Sequence, residues 1–180
     1  MEVTFKRTGE RRYAVIVALP GQSPRWTHPA PGYDEHIPHD LVHYVVEAEL
    51  GLRAGVFGRA ESGGGGFLAA NESDERPRAR ARQRRKQRRR ENSLRSSDEA
   101  RRREMSESER LAATCDLAWR RRNGQRPDPA RWREPEPLSA EDAPRVEHVL
   151  ARLDRLAPLW SQLPIGAELR FVWPSTEPLA

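Results

Sequence analysis

The 180-residue sequence predicts an α+β fold: a small three-stranded, mainly antiparallel sheet packed on two or three helices, with a charged helical or disordered arm inserted. Three observations carry that expectation. Period-two strand patterns lie at the two ends of the chain with helical periodicities between them, the order of an α+β domain. Between Ala69 and Arg110 only Leu94 and Met105 are large and apolar, so the core must come from the flanking segments. Charge divides the same way. Residues 1–70 hold 7 basic and 8 acidic side chains, residues 71–122 hold 18 and 10, and residues 123–180 hold 7 and 9, so the net +5 comes from the middle third. Residues 1–68 therefore read as the N-terminal half of one folded body. Residues 69–110 read as the arm, and residues 111–180 as the C-terminal half of the same body.

The first element is a hairpin. Val3, Phe5 and Arg7 alternate with Thr4, Lys6 and Thr8, the pattern of a half-buried strand. Gly9-Glu10 suits a type II′ turn with glycine at its first central position. Arg11 to Leu19 follows as a central strand, with Tyr13, Val15, Val17 and Leu19 on one face and Ala14, Ile16 and Ala18 on the other. Pro20 to Gly32, with four prolines and two glycines, is expected to be an irregular loop.

His36 to Gly51, HIPHDLVHYVVEAELG, is the strongest amphipathic helix in the chain. Pro38 is tolerated in its first turn, Asp40 complements the positive end of the helix, and Gly51 is a natural stop. At 100° per residue Leu41, Val42, Val45 and Val46 gather on one side, and His39, Asp40, His43 and Glu47 on roughly the other. The glycine-rich GVFGRAESGGGG at 55–66 lacks the Lys-Ser or Lys-Thr of a phosphate-binding loop and reads as a flexible linker.

In the arm, nine of the thirteen residues from Arg78 to Arg90 are basic and point all round a helical wheel. Such a segment projects into solvent, binds a polyanion or stays disordered. Ser96 with Glu99 and Ser106 with Glu109 have capping-box spacing. After the second, Leu111, Cys115, Ala118 and Trp119 form a stripe that can dock on the body, and Asn123-Gly124 should end that helix. Pro127 to Pro137 is a connector. Ser139 can cap a last helix with apolar residues at Val146, Val149, Leu150, Leu153, Leu156 and Ala157, limited by Pro158. Pro164-Ile165-Gly166 then turns the chain into a strand in which Ala167, Leu169, Phe171 and Trp173 alternate.

The chemistry-bearing stretch is His39-Asp40-Leu41-Val42-His43. Its H-D-x-x-H form resembles the H-E-x-x-H signature of zinc metallopeptidases, in which two histidines one helical turn apart bind zinc and the acidic residue is the base. The resemblance covers five residues and departs at the base, where Asp is one methylene shorter than Glu. It implies a divalent metal, zinc first, held by His39 and His43. Glu47 lies eight residues, roughly 12 Å along the axis, from His39, so it shares an ion with His43 or orients the His43 ring. His36 is the first choice for a further ligand, His28 the second, with His148 and Asp116 more remote. If the site is catalytic, hydrolysis by a metal-bound water follows, with Asp40 or Glu47 as proton acceptor.

The run RARARQRRKQRRR resembles arginine-rich segments that bind structured RNA. It offers Arg82, Arg84, Arg85, Lys86, Arg88, Arg89 and Arg90 to RNA or DNA phosphates through residues 76–90. No aromatic residue interleaves the run, and acidic residues flank it. Cys115, the only cysteine, excludes an internal disulfide and suits a reducing, cytoplasmic setting. The N-terminus has no signal-peptide pattern and the longest apolar run, Tyr13 to Pro20, is too short for a membrane span. The expectation is a small cytoplasmic binding or accessory protein with a metal site, rather than an enzyme. Its alternatives are a nucleic-acid-associated protein, a metal-dependent hydrolase, and a protein-interaction module without a metal.

Overall fold

The computed structural model describes residues 1–27, 36–62, 64, 66–69, 99–125 and 138–180. Among these residues five strands form one antiparallel sheet: β1 (Glu2–Gly9), β2 (Arg12–Ala18), β3 (Arg25–Thr27), β4 (Leu68–Ala69) and β5 (Glu168–Val172), in the order β4-β3-β2-β1-β5. The expected hairpin and C-terminal strand are its three longest members, and the fold is α+β. The additional strands, β3 and β4, are three and two residues long, too short to show a period in sequence. β3 forms within the stretch expected to be an irregular loop.

The β1–β2 turn sits one residue later than its glycine suggests. Gly9 pairs with Arg12, so Glu10 and Arg11 turn the chain, and the register shifts between Arg7 and Gly9. An irregularity there adds local twist, so this turn closes without the positive φ that the II′ form requires.

Register explains the core face of the sheet. Val3 lies opposite Val17 and Phe171, and Phe5 opposite Val15 and Leu169. All are buried together with Tyr13. Each such side chain contributes about 1.5–3 kcal/mol through loss of contact with water. β2 is the middle strand, as its sequence predicts, with Ala14 buried and Ile16 half-buried on its far face.

Helix α1 (His39–Glu49) lies against this sheet. Tyr44 meets Phe5 edge-on at 5.8 Å between ring centres, and its hydroxyl donates to the Ser175 carbonyl at 2.7 Å. Pro38 precedes the first turn in extended conformation and its carbonyl accepts from the Leu41 and Val42 N–H groups. Gly51, at φ +68°, ends the helix as expected. The polar side, however, is not solvated. Every residue from Leu41 to Glu47 is buried, His43 and Glu47 included. A helix covered all round belongs to the centre of the molecule.

What covers it is α3 (Glu99–Arg122), with α4 (Asp142–Ser161) beside both. Between α1 and α3 in the chain lies a short helix, α2 (Val56–Glu61), where the sequence reads as linker. Its glycines serve close packing: a Cβ on Gly58 would lie 2.1 Å from the Arg53 carbonyl oxygen. Of the expected α3 stripe, Leu111, Cys115 and Trp119 are buried and Ala118 is half-buried. Ser106 and Glu109 lie inside α3, so they form no capping box, and Ser96 lies outside the described residues. Gly124, at φ +70°, follows the end of α3.

Glu141, not Ser139, stands at the cap position of α4, but the Ser139 hydroxyl accepts from the Asp142 N–H at 3.0 Å and so serves the first turn. The whole predicted stripe of α4 is buried. Pro158 does not stop the helix, which runs to Ser161. The missing proline N–H falls in the last turns, and Trp160 beyond it is anchored edge-on against Tyr13 at 6.0 Å. Leu169, Phe171 and Trp173 face inward from β5 and its end. The basic run at 76–90 and His28 lie outside the described residues. Among those that are described, no helix is long and apolar enough to cross a membrane.

Candidate functional site

The α1–α3 interface is a polar seam. Going down α1 and the loop after it, His39 meets Asp116, His43 approaches Glu109, Glu47 bonds Ser108, and the Arg53 and Ala54 N–H groups meet Glu104. Partners descend in number along α3 as they ascend along α1, so the two helices run antiparallel. This order places both histidines of the H-D-x-x-H stretch against carboxylates of α3.

His39 and His43 are one turn apart and their rings stand at 88° with centres 4.7 Å apart. Their Nε2 atoms converge to 3.2 Å. Behind His39, Nδ1 donates to Asp116 Oδ2 at 3.0 Å, and Arg120 Nε donates to the other oxygen of that fully buried carboxylate at 2.7 Å. Behind His43, Nδ1 is buried without a hydrogen-bond partner among the described residues, and Glu47 Oε1 stands 3.9 Å away. On the open side Glu109 Oε2 lies 3.7 Å from His43 Nε2, on a side chain 62% exposed.

Electrostatics divides the two rings. Burial disfavours the charged form of His39, but the hydrogen bond and charge of Asp116 outweigh it and hold that ring above its ordinary 6.5. Burial, and then the positive charge on His39, push His43 down to about 3. Asp116 thus favours the charged form of His39 and burial the neutral form of His43, and the 3.2 Å contact brings their Nε2 atoms together.

That geometry matches the coordination of a small cation. Two nitrogens bound to zinc at 2.0–2.1 Å with a tetrahedral angle are separated by roughly 3.3 Å. A carboxylate on the far nitrogen is the usual support of a metal-bound histidine, and Asp116 supplies it to His39. Among the described residues no three His, Cys, Asp or Glu side chains are grouped closely enough to hold an ion as they stand.

The other predicted residues are placed differently. Glu47 is fully buried and both its oxygens are occupied: Oε1 accepts from the Val56 N–H at 2.7 Å and the Ser108 hydroxyl at 3.2 Å, and Oε2 accepts from the Phe57 N–H at 2.8 Å. It anchors the start of α2 and is not free to bind a metal or take a proton from water. Burial pushes its carboxyl up to about 7 against the pull of those donors. Asp40 accepts from the Tyr13 hydroxyl at 3.1 Å, with its carboxyl raised by burial, so the acidic residue of the motif is tied to the sheet. His36 is exposed and lines a surface depression with Trp119, Asn123 and Asp154. His148 pairs with Glu49 at 2.7 Å, away from this seam. The Cys115 thiol is buried and raised to about 12, which leaves it inert.

The sequence pattern points to Asp116 only as a remote ligand and to Glu109 not at all, yet both stand beside the histidine pair. The signal was their seven-residue spacing, two turns along one helix face. In comparison with known proteins, no family model matches the chain, nor does any curated protein or solved structure.

Proposed function

We propose that the chain is a small cytoplasmic binding protein that holds one divalent metal ion, zinc first, on Nε2 of His39 and Nε2 of His43. The observation that carries this reading is the 3.2 Å approach of the two Nε2 atoms, backed by the Asp116 bond to His39 Nδ1. The two imidazoles with carboxylates nearby suit zinc or a neighbouring transition metal better than magnesium or calcium, which prefer all-oxygen sites. His39 is partly open to solvent, its side chain 37% exposed, so an ion reaches the pair without unfolding.

Binding rather than catalysis is favoured because both predicted bases are already hydrogen-bonded within the fold. Asp40 is engaged by Tyr13, and Glu47 by α2 and Ser108. The test is elemental analysis of untagged protein. One equivalent of metal is expected in the wild type and none in His39→Ala/His43→Ala; full occupancy of the double variant would contradict the reading.

A second reading rests on charge. The net +8 of residues 71–122 favours association with a polyanion such as RNA through residues 76–90, with the folded body as a platform.

A further inference from the structure

We propose that Glu109 is the third protein ligand of the His39–His43 ion, which makes the metal a staple between α1 and α3. This rests on the metal reading above and extends it to a second helix.

Three observations place Glu109 there. Its Oε2 is 3.7 Å from His43 Nε2, only slightly beyond the separation of two donors on one tetrahedral ion. The side chain is 62% exposed and its nearest described ionic contact is His43 itself, so a change of rotamer costs little. Glu109 is also two turns before Asp116, the residue that fixes His39 from behind. One face of α3 thus carries both the ligating carboxylate and the orienting one. A metal drawn to this point sits between the two imidazoles, and the negative charge of Glu109 offsets that of the ion.

The seam explains why such a staple has an effect. The first turns of α3 are mostly exposed, and Ser108 is the first residue of the helix to be fully buried. Upstream of it, contact with α1 and its following loop is by the Glu104 carboxylate on the Arg53 and Ala54 N–H groups. Ligation at Glu109 fixes α3 where its buried part begins, so the ion decides how firmly the first turns of that helix are held.

The experiment is zinc titration of the untagged full chain by calorimetry, paired with hydrogen exchange across α3. The set is wild type, Glu109→Gln, Glu109→Ala and the control Glu99→Gln, an exposed residue paired with Arg103 on the same helix. Loss of the carboxylate should weaken zinc binding about tenfold or more, with Glu99→Gln unchanged. Zinc should slow exchange around residues 108–116 in the wild type and not in Glu109→Ala. Wild-type affinity and wild-type protection in both Glu109 variants would overturn the assignment of Glu109 while leaving the histidine site standing. A wild type that takes up no zinc would overturn both.

Discussion

A Cβ placed on Gly55 lies 2.1 Å from the carboxyl carbon of Glu47, so the two residues share one space and only glycine fits beside the buried acid. The glycine is required because α1 reaches across with Glu47 to anchor the start of α2. Gly55→Ala is expected to destabilise the fold by about 2–4 kcal/mol, since it both overpacks the site and displaces a multiply bonded carboxylate. Glu47→Ala should cost a similar amount, and the double variant less than the sum, because the two changes remove the same arrangement. Urea unfolding of the four proteins measures this; strictly additive losses would separate the residues.

Glu49 gives a pH dependence with a definite sign. Its carboxylate takes bonds from His148 at 2.7 Å, Arg152 at 3.0 Å and the Thr176 hydroxyl. Burial raises its pKa, but these donors outweigh it and hold the folded value below the usual 4.5. A group depressed in this way stabilises the fold above its unfolded pKa, and the contribution is lost as pH falls through the folded value. Glu49→Gln should therefore cost about 1–2 kcal/mol at pH 7 and progressively less below pH of about 4. A gap that persisted undiminished at pH 3 would assign its effect to packing.

Asp116 is expected to act through His39 and not on the ion. Asp116→Asn keeps the shape and removes the charge behind the ring, so metal affinity should fall about 10–100-fold with the stoichiometry still one. Competition with a coloured chelator reads both numbers. Complete loss of the ion, with the fold intact by circular dichroism, would promote Asp116 to a direct ligand.

The strands and helices that carry the core were legible because periodicity is local: Val3 and Phe5, Tyr13 to Val17, and Val146 to Ala157 repeat as their elements require. The histidine pair was legible for the same reason, since residues four apart on a helix must be neighbours. What escaped is what depends on contact between distant segments. Glu47 has the look of a ligand on a helical wheel, but its role is set by the N–H groups of residues 56 and 57. Gly55 and Gly58 read as flexibility where the need is for close approach. Asp116 meets His39 across 77 residues of sequence, and no spacing rule spans that distance.

The basic segment has its own consequence. If residues 76–90 associate with RNA, affinity should fall steeply between about 50 and 200 mM salt as phosphate contacts release counterions. Deleting 76–90 should abolish the salt-dependent binding measured by fluorescence anisotropy. Unchanged binding by the deletion variant would assign it to another surface.

The central claim is tested most directly by cobalt or zinc titration of metal-free, untagged protein, read by absorption and calorimetry. One equivalent bound with a four-coordinate cobalt spectrum in the wild type, and no saturable binding in His39→Ala/His43→Ala, is the predicted result. A wild type that binds neither ion above buffer level would show that the 3.2 Å approach of the imidazoles is a hydrogen bond and nothing more.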